Sequence, residues 1–379
     1  MKYLAVLGRQ PELSIAELEA TNYCIDINRL GGTQKLAVRL NEKPLDFLQG
    51  LPEGKITIGI SDYSKNASRK TSTSEALKLK KILVRHDRSV RVVENKNAVL
   101  STATSLHNGL GGKNERKIEL MKVEDEWYKV IGVQDIEAYA KRDQARPARD
   151  AKVGMLPPKL AQILINLCGS LKSGATILDP FCGTGVVLQE AILMGYRAYG
   201  TDISERMVEY SQKNLKWLLK LENDSIRGNP EPGKARTSAG RPWRWDGQTR
   251  PENECFLVSQ GDATSFHWQG PIDAVACEGY LGKPFSYIPS EMELKEQKQE
   301  CSRIILGFLK NLASQIRVDT PVVIAAPAWL REDGAYKRLE ILDEIDKLGY
   351  NVNNKSRKGL FYHCEKQVVA RDIIILRKK

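Results

Sequence analysis

The clearest chemical signature in the sequence is Asp179, which ends an apolar run and is followed by two nearby glycines. The apolar run is typical of a parallel strand that is buried on both faces. Gly183 and Gly185 let the backbone turn sharply and come close to a ligand. Residues 186–194 then have helical spacing and stop at Gly195, a residue typical of a helix end. The segment predicts strand, glycine loop and helix, the opening unit of a doubly wound nucleotide-binding fold.

Three classes of ligand use a glycine loop of this kind. A phosphate-binding loop would carry Gly-Lys-Ser/Thr, which is absent, and a dinucleotide fingerprint would carry a third glycine where this chain has Leu188. The third class is S-adenosylmethionine, which has no phosphate to cradle. The Asp179 carboxylate suits the cationic methionine end of that cofactor and would repel a pyrophosphate. The loop therefore favours S-adenosylmethionine, with a glycine turn in some other α/β protein as the alternative.

A second carboxylate follows at the end of the next predicted strand, at Asp202, about 20 residues past the loop. An acidic residue at this place can accept hydrogen bonds from two ribose hydroxyls. A helix-capping role is the alternative for Asp202. With Asp179, it puts two carboxylates at the edge of the sheet where ligands of such folds bind.

Two further stretches carry a family resemblance. Asp179-Pro-Phe-Cys-Gly-Thr-Gly185 resembles motif I of the class I methyltransferases, in the form typical of the amino-group methylases of RNA and DNA. Gly-Met-Leu-Pro-Pro-Lys-Leu-Ala at 154–161 is similar to their motif X, and with the N-terminal 7–18 it resembles the THUMP-containing tRNA guanosine N2-methyltransferases. A linker with an amphipathic helix is the alternative for 154–161. The cofactor contacts that the resemblance implies are Asp179, Pro180, Phe181, Gly183, Thr184, Gly185, Asp202, Ile203, Asp262, Ala263 and Pro158.

The catalytic candidates follow the fourth predicted strand, in Cys277-Glu-Gly-Tyr280. Amino-methylases have Asn/Asp-Pro-Pro-Tyr/Phe here, so the resemblance implies the catalytic loop, although both prolines are missing and Cys277 replaces the first residue. An exocyclic guanine amine is a poor nucleophile, and an acceptor for its N–H orients it and removes a proton during the transfer. We expect Glu278 to be that acceptor and Tyr280 to stack on the base. A loop that has lost catalysis and leaves a tRNA-binding protein is the alternative.

Composition narrows the class of protein. The 379-residue chain has a formal net charge of +11 and a pI of about 9.2, which fits an anionic partner such as nucleic acid. Its seven cysteines form no Cys-x-x-Cys pair, which argues against a disulfide framework and a structural zinc site, so no metal is expected. Without a signal-peptide h-region or a run of about 18 apolar residues, we expect a cytoplasmic protein that does not bind membranes.

Positive charge concentrates in residues 61–140 and in the polar stretch 222–253. A lysine-rich helix predicted at 75–84 is often only a solvated face, and the alternative is a surface that binds RNA phosphates. The order of elements is similar to THUMP domains of tRNA-modifying enzymes, which implies RNA binding. In 222–253, tryptophans beside arginines favour contacts with unpaired bases over a plain surface insertion. The RNA-binding candidates are Lys65, Arg69, Lys70, Lys81, Arg85 and Arg244.

The predicted fold class is α/β, a Rossmann-like class I methyltransferase domain with a seven-stranded sheet, preceded by an α+β RNA-binding region. The predicted domains are 1–60, ferredoxin-like; 61–140, THUMP-like; and 141–379, the methyltransferase domain, with an inserted basic loop at 222–253. A fifth strand is expected at 320–326 and a helix at 333–348. The resemblance implies methyl transfer to the N2 amine of a tRNA guanosine, usually position 10, with ribosomal RNA or DNA as alternative substrates. The sequence leaves open whether an activator subunit is needed.

Overall fold

The computed structural model describes residues 1–150, 155–226, 255–365 and 367–379. The strands are β1 (Tyr3–Leu7), β2 (Thr33–Arg39), β3 (Ile56–Asp62), β4 (Val90–Val92), β5 (Lys117–Val123), β6 (Glu126–Val133), β7 (Thr176–Asp179), β8 (Arg197–Asp202), β9 (Phe256–Gln260), β10 (Ala274–Glu278), β11 (Pro321–Leu330), β12 (Tyr336–Arg338), β13 (Tyr350–Val352), β14 (Phe361–Tyr362) and β15 (Val369–Lys378). The helices are α1 (Pro11–Ala20), α2 (Pro44–Gln49), α3 (Arg69–Arg85), α4 (Thr102–His107), α5 (Ile136–Gln144), α6 (Pro158–Leu167), α7 (Val186–Leu193), α8 (Glu205–Ile226), α9 (Glu291–Ala313), α10 (Leu342–Lys347) and α11 (Asn354–Lys358). No helix within these described ranges has the length and apolarity needed to cross a membrane.

The chain divides into two compact units that interleave in sequence. Unit 1 comprises Met1–Arg9, Cys24–Arg29 and Thr33–Ala140, and unit 2 comprises Gln10–Tyr23, Leu30–Gly32 and Lys141–Lys379. In unit 1, six strands form one sheet in the order β1-β2-β6-β5-β3-β4. Because this sheet takes strands from both sides of position 60, the structure does not separate 1–60 from 61–140 as the sequence predicted. Helix α1 also departs from the predicted boundaries, since it belongs to unit 2.

Helix α3 shows how the sequence separates core from surface in unit 1. Ser68 caps its start, where the Ser68 hydroxyl accepts the N–H of Thr71 in a capping box. Ala76, Leu79 and Leu83 recur at helical spacing and pack in a core with the isoleucines of β3. The helix therefore turns its basic residues outward.

Unit 2 is built on a sheet whose main path is β13-β15-β11-β10-β7-β8-β9, with β12 and β14 pairing at its side. Strands β7, β8, β9, β10 and β11 run parallel, and β15 is antiparallel to both β11 and β13. Five parallel strands closed by an antiparallel strand confirm the predicted class I methyltransferase fold.

Helices cover both faces of this sheet, and the two-residue period of each strand divides its side chains between two cores. Ile177 of β7 packs in the core formed with α1, α6, α7 and α8. Its neighbour Leu178 packs in the opposite core, with α9 and α10. Along β7, β10 and residues 322–326 and 373–376 of β11 and β15, a side chain's parity therefore gives the face on which it lies.

The helix predicted at 333–348 is wrong in its first half. Strand β11 extends to Leu330, and β12 returns beside it as a hairpin, so the helix is limited to α10. The hairpin turn contains Asp333-Gly334, with Gly334 at φ +81° and the Asp333 carboxylate accepting the N–H of Ala335 at 3.0 Å. Asp-Gly is a strong hairpin signal, because glycine adopts positive φ without steric cost.

Candidate active site

Three acidic residues lie where parallel strands of unit 2 end: Asp179 on β7, Asp202 on β8 and Glu278 on β10. The sheet order reverses at β7, since β8 lies on one side of it and β10 on the other. Ligands of such sheets bind in the crevice outside the carboxyl ends at this reversal. The three carboxylates predicted from sequence are thus brought to one edge of the sheet.

The glycine loop between β7 and α7 is held open toward this edge. Gly183 has φ +50°, and its N–H donates to Asp202 Oδ2 at 2.9 Å. A Cβ added to Gly183 would meet no atom closer than 4.0 Å. Gly185 has φ +81°, and a Cβ there would lie 2.3 Å from the hydroxyl of Ser211. Gly185 is therefore required by packing within the protein, and Gly183 leaves space beside the backbone for a ligand.

Burial raises the pKa of all three carboxylates, and the charges of the other two raise that of Asp179 further. The Asp179 side chain is 2% exposed, and burial, with the charges of Asp202 and Glu278, holds its pKa well above the ordinary value against one hydrogen bond from the N–H of Phe181. Burial also raises the pKa of Asp202, although the N–H groups of Ser204 and Gly183 favour its charged form. A cationic group bound among these acids would relieve that cost.

Glu278 lies on the same face of the sheet as Asp179. Asp179 is two residues past Ile177, and Glu278 is two residues past Ala276, both in the core on the α6–α7 side. The N–H at Nε of Arg371, on β15, donates to Glu278 Oε1 at 2.6 Å, and the two side chains are 7% and 16% exposed. Burial raises the pKa of Glu278, and the Arg371 charge opposes that rise.

The loop after β10 differs from the predicted one in its backbone. The N–H of Gly279 donates to the carbonyl of Ala325 at 3.0 Å, which continues the pairing with β11. A proline at this position has no N–H to donate. Tyr280 packs on the opposite core, toward α9, where burial and the Glu300 carboxylate raise its pKa. Glu278 and Tyr280 therefore belong to different faces of the sheet.

The other predicted cofactor residues occupy varied surroundings. Phe181 meets Phe308 of α9 edge-on, with ring centroids 5.3 Å apart, and Pro158 is buried in the first turn of α6. Ile203 is 70% exposed at the end of β8. Asp262 is exposed, and its Oδ1 accepts the N–H and the hydroxyl of Thr264, which lower its pKa. Pro180, Thr184 and Ala263 are buried.

Comparison with known proteins finds partial similarity to proteins that are named as methylases. The model of a family described as DNA methylase matches residues 63–213. A tRNA (guanine(10)-N2)-dimethyltransferase of Methanothermobacter thermautotrophicus is 51% identical over 89 residues, 23% of this chain and 26% of that protein. A protein of the same name from Pyrococcus abyssi is 48% identical over 62 residues, 16% of this chain and 18% of that protein.

The matched lengths are short. The chain spans about a quarter of the length of the first of these relatives and less of the second. Among solved structures, TrmN from Thermus thermophilus aligns over 92% of this chain and 84% of that one, at 16% identity and a TM-score of 0.43. Unit 2 has the class I methyltransferase fold. This fold is evident from the order of its strands and from the carboxylates at the ends of β7, β8 and β10.

Two supports of the active site were not predicted from sequence. Arg371 stands 93 positions from Glu278, and its sequence signal is a charge that interrupts the apolar strand β15. Asn214 of α8 is fully buried and donates from Nδ2 to the carbonyls of Thr184 and Ala148, both at 2.9 Å. Asn214 thereby ties the glycine loop to the segment before α6, and its helical neighbours give no hint of that role.

The predicted RNA-binding residues of unit 1 are on its surface. Five of them are exposed: Lys65, which lies just before α3, and Arg69, Lys70, Lys81 and Arg85, which lie on α3. A groove of about 650 Å³ runs along α3 and is lined by Arg69, Lys70, Thr73, Ser74, Leu77, Lys78 and Lys81. Arg244 lies outside the described residues, as does most of the predicted insertion, whose residues 222–226 belong to α8.

Proposed function

We propose that this protein transfers methyl groups from S-adenosylmethionine to the N2 amine of a guanosine in tRNA. The observation that carries the proposal is the Glu278 carboxylate, which ends β10 on the same face of the sheet as Asp179. The names of the relatives further suggest guanosine 10 as the target and dimethylation as the outcome. On this proposal the protein works where tRNA is processed, in the cytoplasm.

The residues at the edge of the sheet fit S-adenosylmethionine. The open side of Gly183 admits a ligand close to the backbone, and three carboxylates with raised pKa values favour a cationic group. Asp179 would face the charged methionine end, and Asp202 would accept the ribose hydroxyls. Asp262 and Ala263 would flank the adenine, with Phe181, Ile203 and Pro158 packing around the ligand. When bound, the cofactor supplies an electrophilic methyl group.

Glu278 acts on the amine that is to be methylated. Its Oε2, which has no hydrogen-bond partner among the described residues, accepts an N–H of the guanine amine, which orients the lone pair and removes the proton as the new bond forms. Glu278 must be ionised for this step, so Arg371 supports catalysis by favouring the carboxylate. Tyr280 lies two residues further along the loop and packs toward α9 on the opposite face, so it stacks on the base only if the loop after β10 rearranges when the base binds.

Unit 1 supplies affinity for tRNA. Lysine and arginine side chains along α3 contact phosphates, which positions RNA without reading its sequence. The groove along α3 also exposes Leu77 between its basic residues, where a ribose or base can pack. This role is that of a THUMP domain, and neutralising Lys70 and Lys81 together should weaken tRNA binding and flatten its salt dependence.

The test is methylation of unmodified tRNA in vitro with labelled cofactor, followed by nucleoside analysis. We expect N2-methylguanosine and N2,N2-dimethylguanosine, and their order of appearance distinguishes one transfer from two. A Glu278→Ala variant that binds S-adenosylhomocysteine normally should give neither product. If wild-type protein yields no methylated guanosine above background, the proposal is wrong.

A second substrate class has one observation in its favour, the match of residues 63–213 to a DNA methylase family. Ribosomal RNA is a third possibility on chemical grounds, since it also carries guanine amines. Assays on tRNA, ribosomal RNA and duplex DNA under the same conditions separate them. A kcat/KM for DNA that equals or exceeds the kcat/KM for tRNA would favour DNA as the substrate.

A further inference from the structure

We propose that Arg371 is a specificity-determining residue that recognises O6 of the target guanine, so that Arg371 and Glu278 act together as one guanine-reading pair. This inference rests on the proposed function and adds to it the means by which the base is chosen. It concerns a residue of the closing antiparallel strand, remote in sequence from the glycine loop and from the loop after β10.

The first step is the incomplete contact between the two side chains. Arg371 Nε donates to Glu278 Oε1 at 2.6 Å, and within the described part of the chain neither Glu278 Oε2 nor the two terminal nitrogens of Arg371 has a hydrogen-bond partner. None of these three atoms is fully buried, so a ligand can reach each of them from outside. The pair therefore keeps two acceptor sites, the free Oε2 and the second lone pair of Oε1, and several donors for a third molecule.

The sheet fixes the position of Arg371 relative to Glu278. Arg371 is two residues from Ile373, which packs in the core on the α6–α7 side, and its contact with Glu278 puts both side chains on that face. In the ladder it stands opposite Pro327 of β11, and Glu278 stands opposite Ala325 of the same strand. The two side chains thus meet across β11. Asp372 points to the other face, where it accepts from Arg338 Nε at 2.7 Å.

The third step is the chemistry of the base. Guanine presents an N2 amine and an N1–H as donors beside the O6 acceptor, whereas adenine and cytosine present one amine beside a ring acceptor. A carboxylate next to a guanidinium offers acceptors followed by a donor, which complements the N2 amine, N1–H and O6 of guanine. In adenine and cytosine the ring acceptor would instead face a carboxylate oxygen, which repels it. Charged partners make these hydrogen bonds strong and the mismatch costly.

The experiment compares two tRNAs that differ at the target base, one with guanine and one with 6-thioguanine. The second keeps the N2 amine and N1–H but replaces O6 with sulfur, a much weaker acceptor. Wild-type protein should prefer guanine by about 10-fold in kcat/KM, because a hydrogen bond to a charged group is weakened. Arg371→Met should lower activity on guanine by about 10- to 100-fold and bring the preference close to one.

Matched variants separate recognition from folding. Arg338→Met, on β12, removes the ion pair of Asp372, the residue next to Arg371 on β15, and should keep the wild-type preference. Arg371→Lys retains the charge and places its N–H donors on a single nitrogen. If Arg371→Met does not bind S-adenosylhomocysteine, the lysine variant is compared, with the preference expected to fall partway. If either Arg371 variant loses activity equally on both tRNAs, O6 recognition is overturned. If wild type modifies neither tRNA, the proposed function itself fails.

Discussion

Two arginine–glutamate pairs of unit 2 share one chemistry and differ in how completely it is used. Arg142 and Glu190 meet through two contacts, Nε to Oε1 at 2.6 Å and Nη2 to Oε2 at 3.2 Å. Arg371 and Glu278 meet through one contact, at 2.6 Å. Glu190 is 1% exposed within α7, whereas Glu278 keeps 16% of its side chain exposed where β10 ends.

The number of bonded carboxylate oxygens distinguishes an ion pair that stabilises the fold from one that is available to bind a ligand. In the first pair both carboxylate oxygens are already bonded, so its value is structural. In the second, one oxygen of Glu278 remains available at the edge of the sheet where ligands of this fold bind. Disturbing the first should therefore change stability, and disturbing the second should change activity.

The largest effect is expected from Glu278→Gln. The amide cannot take a proton from the guanine amine, so kcat should fall by about 10²–10⁴-fold while affinity for S-adenosylhomocysteine changes little. Steady-state kinetics and calorimetry on the same preparations measure both. Glu296→Gln, on the exposed surface of α9, should leave kcat unchanged.

The same residue predicts a pH dependence. Burial raises the pKa of Glu278, and only the deprotonated form accepts the proton, so kcat should fall as pH falls through a value above the ordinary glutamate pKa. The limb should vanish from the residual activity of Glu278→Gln. An unchanged limb in that variant would assign the titration to another group.

The Arg142–Glu190 pair gives the next largest effect, which is on stability. Arg142→Met leaves the buried Glu190 carboxylate without its partner and should lower the free energy of unfolding by about 3–5 kcal/mol. Denaturant titration followed by circular dichroism measures this loss. The double variant Arg142→Met/Glu190→Leu should recover most of the stability and keep kcat near wild type; a large loss of kcat in the double variant would contradict a purely structural role.

The glycine loop between β7 and α7 gives a further test, because packing within the protein fixes Gly185. Gly185→Ala combines a φ of +81° with a Cβ 2.3 Å from the Ser211 hydroxyl, so unfolding should become easier by about 1–3 kcal/mol and cofactor affinity should drop. Gly174→Ala has a similar φ of +74° with no atom within 4 Å. Equal losses in the two variants would show that backbone strain alone explains the effect.

The smallest effect concerns a third carboxylate, Glu17 of α1. It accepts the N–H groups of Gly31 and Gly32 and the Asn166 amide, at 2.7–2.9 Å, and burial raises its pKa to about 7. The folded state then binds the proton more tightly than the unfolded state, so this group's contribution to stability is present at low pH and is lost as pH rises through 7.

We expect the difference in unfolding free energy between wild type and Glu17→Gln to decline by about 1–3 kcal/mol from pH 5 to pH 8. Paired denaturation curves across that range provide the measurement. A difference that grows with pH would mean that the three N–H donors outweigh burial and keep Glu17 charged.

The local parts of the active site could be predicted from sequence, because their signals are contiguous. A buried strand, two glycines and a helix follow one another at 176–193, and the acids at strand ends follow from where ligands bind such sheets. The contact between Arg371 and Glu278 could not be predicted, since it depends on β15 pairing antiparallel to β11 and on both residues sharing a parity. Neither fact is written in the neighbourhood of either residue.

The remaining errors have one local cause and one topological cause. The Asp333-Gly334 turn was interpreted as the start of a helix, although the apolar run before it is long enough to continue as a strand and return as a hairpin. The domain boundary at position 60 failed because strand order in a sheet need not follow chain order, and β3 pairs with both β4 and β5. The predicted RNA-binding and cofactor contacts stay predictions until a ligand is bound.

The assignment of Gln10–Tyr23 and Leu30–Gly32 to unit 2 has a practical consequence for anyone who wishes to dissect the protein. No single cut yields unit 2 alone, because deleting everything before residue 141 also deletes α1 and leaves Asn166 without Glu17. A segment inserted this way also discourages exchange of the N-terminal region by recombination, since a crossover between the two stretches would strip a helix from one unit while replacing strands of the other. Separating the units would require a rewired chain that carries residues 10–23 and 30–32 onto Lys141 through new linkers and leaves residues 24–29 with unit 1.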